Sequence, residues 1–518
     1  MTKDKFLRGA MILTLAGLMV KVIGSINRIL LSRLLGGEGV GLYQMAYPIY
    51  LLILAVSAAG VPTAISIMIA DLLAKGDKGN VKRVFKVSLK LMACVGFFLA
   101  LALFVTANLL IDSGIVQDRR AYYAIIALIP AVFFATILAS FRGFFLGHQL
   151  MTPPACSQIF EQLIRVTTMV LLAYFLLPFG LEYAAAGAAF GAVPGSITGL
   201  FVLGYFYRKH KEKWQSTEGD GSFLPESTSS IVKRLLYLAL PVSLANVLVP
   251  VSNIVDMLMV PSRLIQHGFT VEMSTTLYGY LTGMAQPLIM MATIPTLSLA
   301  ASIVPAIREA DTLKDKQSID HKTAMAMKLC CLITVPAAIG MSTFSEPIAL
   351  LLYGSVKPAL AILHSGPAIF LLGLQQITAG MLQGLQQING PMLNMFTGIL
   401  VKIGAVYVLT NETWNIAGAA WATNINFGLT ALLNLYLLKK VQISFRYGEL
   451  LKIVGAACLM GVIGRVAYGL LVNIFGLFLG NILVLVLAAL VYIVLLPLLK
   501  IVTRDELKQM PIMKKIIK

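Results

Sequence analysis

Of seven cations inside the long apolar runs of this chain, Lys21, Arg28, Arg142, Arg165 and Lys402 are the principal set. A charge at the centre of a membrane span costs about 2.5–3.5 kcal/mol on insertion scales, so one retained there is expected to have a counter-charge or a ligand. Lys21 and Arg28 are seven residues apart, two helical turns, and share one face. The set has the chemistry of a cationic pocket for an anionic headgroup. Two structural alternatives stand beside that reading: snorkelling to an interface, most relevant to Arg142 near the end of its run, and ion pairing that only holds helices together. Glu161, four residues before Arg165 on the same face, is placed for such a pair.

Asp256 is the only acid in its apolar run, with Asn253 nearby, and an intramembrane carboxylate is a candidate for Na+ or H+ coupling. Asn394, Thr397 and Asn424 are candidate neutral oxygen ligands for the same ion; a hydrogen-bonded structural role is the alternative for each. Gln375, Gln376, Gln383, Gln386 and Gln387 form a polar run suited to sugar hydroxyls or to interhelical hydrogen bonds. There is no GxxxxGK[ST], HExxH or GxSxG pattern. The five histidines are scattered, and Cys94, Cys156, Cys330, Cys331 and Cys458 form no CxxC pair. No enzyme activity, metal site or cofactor is therefore expected; Na+, H+ or the membrane potential are the candidate couplings.

The elements that must position these residues are membrane helices. Of 518 residues, 58% are hydrophobic and 12% charged, about half the charged share of a soluble domain. The sequence predicts an all-α polytopic membrane protein with fourteen spans: 9–32, 41–74, 87–111, 121–147, 155–178, 183–206, 232–261, 276–304, 324–345, 358–385, 390–410, 415–438, 450–472 and 480–502. Met1 to Arg8 followed by an apolar stretch resembles a signal peptide, but Lys21 and Arg28 interrupt it and it reads as a retained first helix. Pro48, Pro62, Pro194, Pro250, Pro287 and Pro295 fall inside spans and predict kinks. The net charge of +18 comes from Lys and Arg concentrated in short polar segments, chiefly 75–90, 208–234 and the tail from Lys500. That asymmetry predicts both termini in the cytoplasm and argues against a nucleic-acid partner.

An internal repeat divides the chain. Gly147, Gln149, Pro154 and Arg165 recur as Gly384, Gln386, Pro391 and Lys402, all 237 residues on. Ala186-Gly187-Ala188-Ala189 matches Ala417-Gly418-Ala419-Ala420, Ser32-Arg33-Leu34 matches Ser262-Arg263-Leu264, and Pro62-Thr63 matches Pro295-Thr296. The expectation is a six-helix lobe at 1–206, a polar cytoplasmic interlobe linker at 207–231 and flexible in character, and a second lobe at 232–438. Helices 13 and 14 at 450–502 and a basic cytoplasmic tail at 503–518 lie outside the repeat. An even helix count per lobe predicts a pseudo-twofold axis along the membrane normal, as in alternating-access carriers.

The run Asn27-Arg28 … Ser32-Arg33-Leu34-Leu35-Gly36-Gly37-Glu38-Gly39-Val40-Gly41-Leu42-Tyr43, continuing to Pro48, and Ala59-Gly60-Val61-Pro62-Thr63-Ala64-Ile65-Ser66 resemble the stage V sporulation protein B branch of the MOP exporter superfamily. That branch is related to MurJ-type lipid II flippases and to polysaccharide flippases. The resemblance covers the chain in helix count and lobe plan, with motifs densest in helices 1, 2 and 4. It implies export of an undecaprenyl-linked cell-wall intermediate across the bacterial cytoplasmic membrane. A polyprenyl-linked anionic glycolipid is then the partner, alongside membrane lipids and the cell-wall synthesis machinery. By that resemblance Lys21 occupies a headgroup-binding position, and an Arg-Asp pair later in helix 1 is Asn27-Arg28 here. The cationic site then falls to Lys21, Asn27, Arg28, Arg142, Arg165 and Lys402. Alternatives are another lipid-linked polysaccharide, a multidrug antiporter, whose cationic cargo several positive residues would repel, and a non-transporting scaffold.

Overall fold

Polar flanks do not end a helix merely because lipid ends there, since the backbone bonds continue wherever Lys, Glu and Gln allow. In the structure, a computed structural model that describes residues 3–215, 224–440 and 447–501, helices accordingly overrun the apolar runs at both ends. No strand occurs among the described residues. Among the described residues, eleven helices are long and apolar enough to cross a membrane, and a pair bent by 46° supplies a twelfth. Two of the eleven each hold two spans, separated by a kink where Gly36 (φ 66°, ψ −172°) and Gly476 (φ 77°, ψ 169°) leave helical geometry. Only glycine takes such a conformation without a Cβ clash. The total is the fourteen that hydropathy predicts.

In chain order they are α1 (3–35), α2 (37–74, interrupted after Ser57 and resuming at Val61), α3 (Lys78–Asp112), α4 (Tyr122–Gly147), α5 (Thr152–Leu176) and α6 (181–215). Then come α7 (Thr228–Gln266), α8 (271–312), α9 (Lys316–Thr343), α10 (359–384), α11 (Asn389–Leu409), α12 (Asn415–Lys440), α13 (447–475) and α14 (477–498). A short helix, Ser345–Tyr353, joins α9 to α10 and was not expected from hydropathy. In α8 the segment Tyr280–Ala285 is a π-helix, and the bend follows at Thr293, ahead of Pro295.

The chain forms two compact units, Met1–Gly279 and Tyr280–Lys518. In the first, Phe85 of α3, Phe141 and Phe144 of α4 and Tyr207 of α6 form an aromatic cluster with ring centroids 4.4–6.1 Å apart. Ile65, Met68 and Ile69 of α2 and Leu235 of α7 extend the same core. In the second, Ile307, Cys330, Ile377 and Met381 tie α8, α9 and α10 together, while Ile453, Ala457, Val484 and Tyr492 seat α13 and α14 on α9.

The repeat is visible as duplicated packing inside each unit. A Cβ on Gly143 or Gly147 would lie 2.8 and 2.7 Å from the Cβ atoms of Ile65 and Ile69. In the second unit Gly384 meets Ile307 Cβ at 2.8 Å, and Gly380 meets Ala300 O at 2.8 Å and Ile303 Cγ2 at 3.1 Å. Gln149 (φ 58°) and Gln386 (φ 63°), both non-glycine residues in the left-handed region, end the corresponding helices. Asp77 and Asp315 accept the third backbone N–H of α3 and α9 at 3.0 Å each, matching N-caps of the two halves.

The segment expected as a flexible linker is shorter than 207–231. Helix α6 continues through Arg208 to Gln215, because that stretch holds no Gly or Pro, and α7 starts at Thr228. Before α7 the chain is held to the first unit by the buried Asn80, whose side chain donates to Leu224 O (3.1 Å) and accepts from Glu226 N (2.9 Å). Residues 216–223 and the tail at 503–518 lie outside the described residues.

At one end of the first unit Arg120 donates to Glu38 (2.6 Å) and Asp118 (2.8 Å), and Thr275 of α8 donates to Asp118 (2.8 Å). Asp118 is 2% exposed, so these bonds replace its hydration. Asp118→Asn keeps the shape but removes the charge, and should lower stability by about 1–2 kcal/mol. A fall in the thermal-unfolding midpoint of the purified protein checks it, and an unchanged midpoint would assign Arg120 wholly to Glu38.

Candidate anion-binding site

Two close helix approaches set the positions of Arg142 and Arg165. Gly143 lets α4 press on α2 directly beside Arg142, with its absent Cβ 2.9 Å from Pro62 O. Gly195 and Gly191 let α6 lie against α5, where added Cβ atoms would fall 2.9 Å from Arg165 Cβ and Arg165 O respectively. With both backbones fixed, the two side chains converge on one carboxylate. Glu161 Oε2 accepts from Arg142 at 2.6 Å and Oε1 from Arg165 at 2.5 Å. The side chains are 22% (Arg142), 14% (Glu161) and 17% (Arg165) exposed, so the triad is largely withdrawn from solvent yet reachable. Glu161–Arg165 is the i,i+4 pair that the sequence predicts; Arg142, 19 residues away, completes it.

Helix α1 brings the next charges. Gly24 faces Gln162 of α5 closely, and Asn27 donates to Met169 Sδ at 3.2 Å, so α1 runs along α5 with Asn27 buried between them. Arg28 lies over the ring of Tyr47, 5.9 Å from its centroid, a cation–π geometry. Lys21, two turns earlier, is exposed. Tyr43, Tyr47 and Tyr50 form a ladder on α2, with centroids 5.2 and 5.9 Å apart. The ladder is a structural feature that reading for charge overlooked, though its i, i+4, i+7 spacing is plain in the sequence. Together these residues offer three guanidinium groups, one carboxylate and a stack of phenol rings. The balance is cationic and the donors outnumber the acceptors.

The remaining candidates stand elsewhere. Lys402, the repeat counterpart of Arg165, is 1% exposed in α11 of the second unit, where its neighbours engage it. Asp256 is 3% exposed in α7 of the first unit and is likewise engaged. In the second unit Asn394 donates to Asn434 (2.9 Å), Asn424 donates to His364 O (2.8 Å), and Thr397 donates to Leu393 O (3.0 Å). Asn424 and Asn434 are ten residues apart on α12, about 15 Å along the axis. The amides of Asn394 and Asn424 are therefore used at different levels, and the structure does not gather them around one point. Among the described residues no three His, Cys, Asp or Glu side chains group as metal ligands.

With this geometry in view, comparison with known proteins adds the following. Residues 6–310 match the profile of the polysaccharide biosynthesis protein family. Stage V sporulation protein B of Bacillus subtilis (strain 168) is 29% identical over 526 aligned residues, covering 100% of both chains. Among solved structures, lipid II flippase MurJ in an inward closed conformation superposes with a TM-score of 0.71 at 14% identity, over 94% of this chain and 98% of that one. An inward-facing multidrug resistance MATE family transporter of the MOP superfamily superposes with a TM-score of 0.67 at 18% identity, over 82% of this chain and 94% of that one. These likenesses establish the fold.

Proposed function

We propose that this chain, which belongs to the polysaccharide biosynthesis protein family, is a flippase that carries an undecaprenyl-linked cell-wall precursor, lipid II, across the bacterial cytoplasmic membrane. The observation that carries the reading is the surplus of buried and half-buried cations around Glu161, Arg142, Arg165 and Arg28 within membrane helices. Such a surplus suits a diphosphate, whose oxygens match guanidinium forks two at a time. Tyr47, the half-buried ring of the ladder beside Arg28, suits the sugar, since a flat ring stacks on a pyranose face, while Tyr43 and Tyr50 are buried behind it. The polyprenyl tail needs no protein site; it remains in lipid. No bond is made or broken: the headgroup exchanges water for these donors and leaves on the other side by alternating access.

The family match and the relatedness to stage V sporulation protein B support a lipid-linked glycan as cargo; lipid II is the narrower choice. Both termini are proposed to face the cytoplasm, where the cell-wall synthesis machinery supplies the cargo. Coupling is proposed to come from the membrane potential acting on the carrier's own cations, because one charge crossing 100 mV is worth about 2.3 kcal/mol. Asp256 is the carboxylate through which Na+ or H+ coupling would act instead.

The test is outer-leaflet accessibility of lipid II in bacteria depleted of their own flippases and expressing this chain. Restoration is expected, with a loss of at least about tenfold in Arg28→Ala and Arg165→Ala at equal membrane abundance, a factor equivalent to 1.4 kcal/mol. Restoration that survives both substitutions would remove the cations from the mechanism. No restoration from properly inserted protein would move the cargo to another lipid-linked polysaccharide.

A further inference from the structure

Two arginines sharing one carboxylate are incompletely satisfied. Arg142 and Arg165 each present a buried Nε–H with no acceptor. Glu161 spends one oxygen on each guanidinium, 2.6 and 2.5 Å away, so neither fork is engaged two-pronged by the carboxylate. A guanidinium is best met by two oxygens side by side. The site thus holds two cations, one anion and two orphaned N–H groups, in side chains that keep 14–22% of their surface accessible.

We propose that Glu161 is a resident stand-in for the phosphoryl oxygens of the cargo: it occupies the anion site of Arg142 and Arg165 when the carrier is empty and is displaced when a diphosphate binds. This rests on the anionic-cargo reading of the same site and adds a device to it. A diphosphate carries enough oxygens to serve both forks and both Nε–H groups, which a single carboxylate does not. When cargo leaves, Glu161 returns and the empty carrier is spared two uncompensated buried cations, a strongly unfavourable state. The acid therefore weakens binding and speeds release. Its removal should raise affinity and slow turnover, the opposite of what a cargo-contacting donor would do.

The probe is inorganic pyrophosphate, titrated calorimetrically into the full-length protein in lipid nanodiscs. Glu161→Gln, nearly the same size and uncharged, is expected to bind pyrophosphate about tenfold more tightly than the unmodified chain, with Arg142→Gln binding at least tenfold more weakly. Glu161→Asp, a methylene too short to span both arginines, should show a smaller gain and carries the same test if Glu161→Gln does not fold. Equal or weaker affinity in the folded Glu161 variants overturns the proposal, whatever the transport assay shows. A gain in pyrophosphate affinity without restored lipid II exposure by the unmodified chain supports the anion site and overturns lipid II as the cargo.

Discussion

Glu161→Ala should be strongly destabilising, costing about 3–5 kcal/mol, the range for stranding buried charge after loss of its partner. The carboxylate serves Arg142 and Arg165 at once, so removing it leaves two guanidinium groups facing each other with no anion between them. Arg142→Ala alone should cost clearly less, because Glu161 keeps Arg165. The double substitution Glu161→Ala/Arg142→Ala should recover part of the loss, since only one cation then remains stranded. Thermal unfolding of the four purified proteins in one detergent separates these outcomes. Additive losses would mean that the three side chains do not act as a unit. The glutamine variant used above is expected to lose less than alanine, as its amide oxygen still accepts from one arginine.

This triad also shows where sequence reading stops. Glu161 and Arg165 are visible as an i,i+4 pair because helix geometry alone brings them together. Arg142 joins only through the way α2 packs on α4 and α5 on α6, which depends on Gly143, Gly191 and Gly195, and no local pattern encodes that. The helix count, by contrast, was legible throughout, because each span must be apolar for its whole length whatever it packs on. The breaks at Gly36 and Gly476 separate spans where the apolar runs themselves stop. The repeat was legible for a related reason: Gly147 and Gly384 are places where a side chain would collide with Ile69 and Ile307, so the same small residue stands in both halves. Less legible was the fate of Asn394 and Asn424. Residue type marks them as oxygen donors to an ion, but their amides bond to Asn434 and to the backbone of His364. The extent of α6 beyond its apolar run was missed because hydropathy reports the lipid boundary and not the end of the hydrogen-bonded helix.

A close helix approach in the first unit yields the other large effect. Helices α2 and α8 meet glycine to glycine: a Cβ on Gly279 would collide with the carbonyl oxygen of Gly37, and one on Gly41 with that of Thr275. Both obstacles are backbone atoms inside helices, so no rotamer change relieves them, and each helix would have to move as a body. Gly279→Val is therefore expected to cost about 3 kcal/mol or more, at or beyond the upper end for overpacking. It should also weaken the Thr275–Asp118 hydrogen bond four residues earlier, because that bond needs the same approach. Gly17→Ala is the matched control: nothing lies within 4 Å of the added atom, and alanine in a helix interior is better than glycine by roughly 0.5–1 kcal/mol. Unfolding midpoints should thus move in opposite directions, down in Gly279→Val and up in Gly17→Ala. If Gly279→Val unfolds with an unchanged midpoint, α8 is free to move off α2 at no cost, and the contact is not a structural restraint. If it is destabilised as expected, transport by the surviving protein tells whether separating these two helices is compatible with the carrier's cycle.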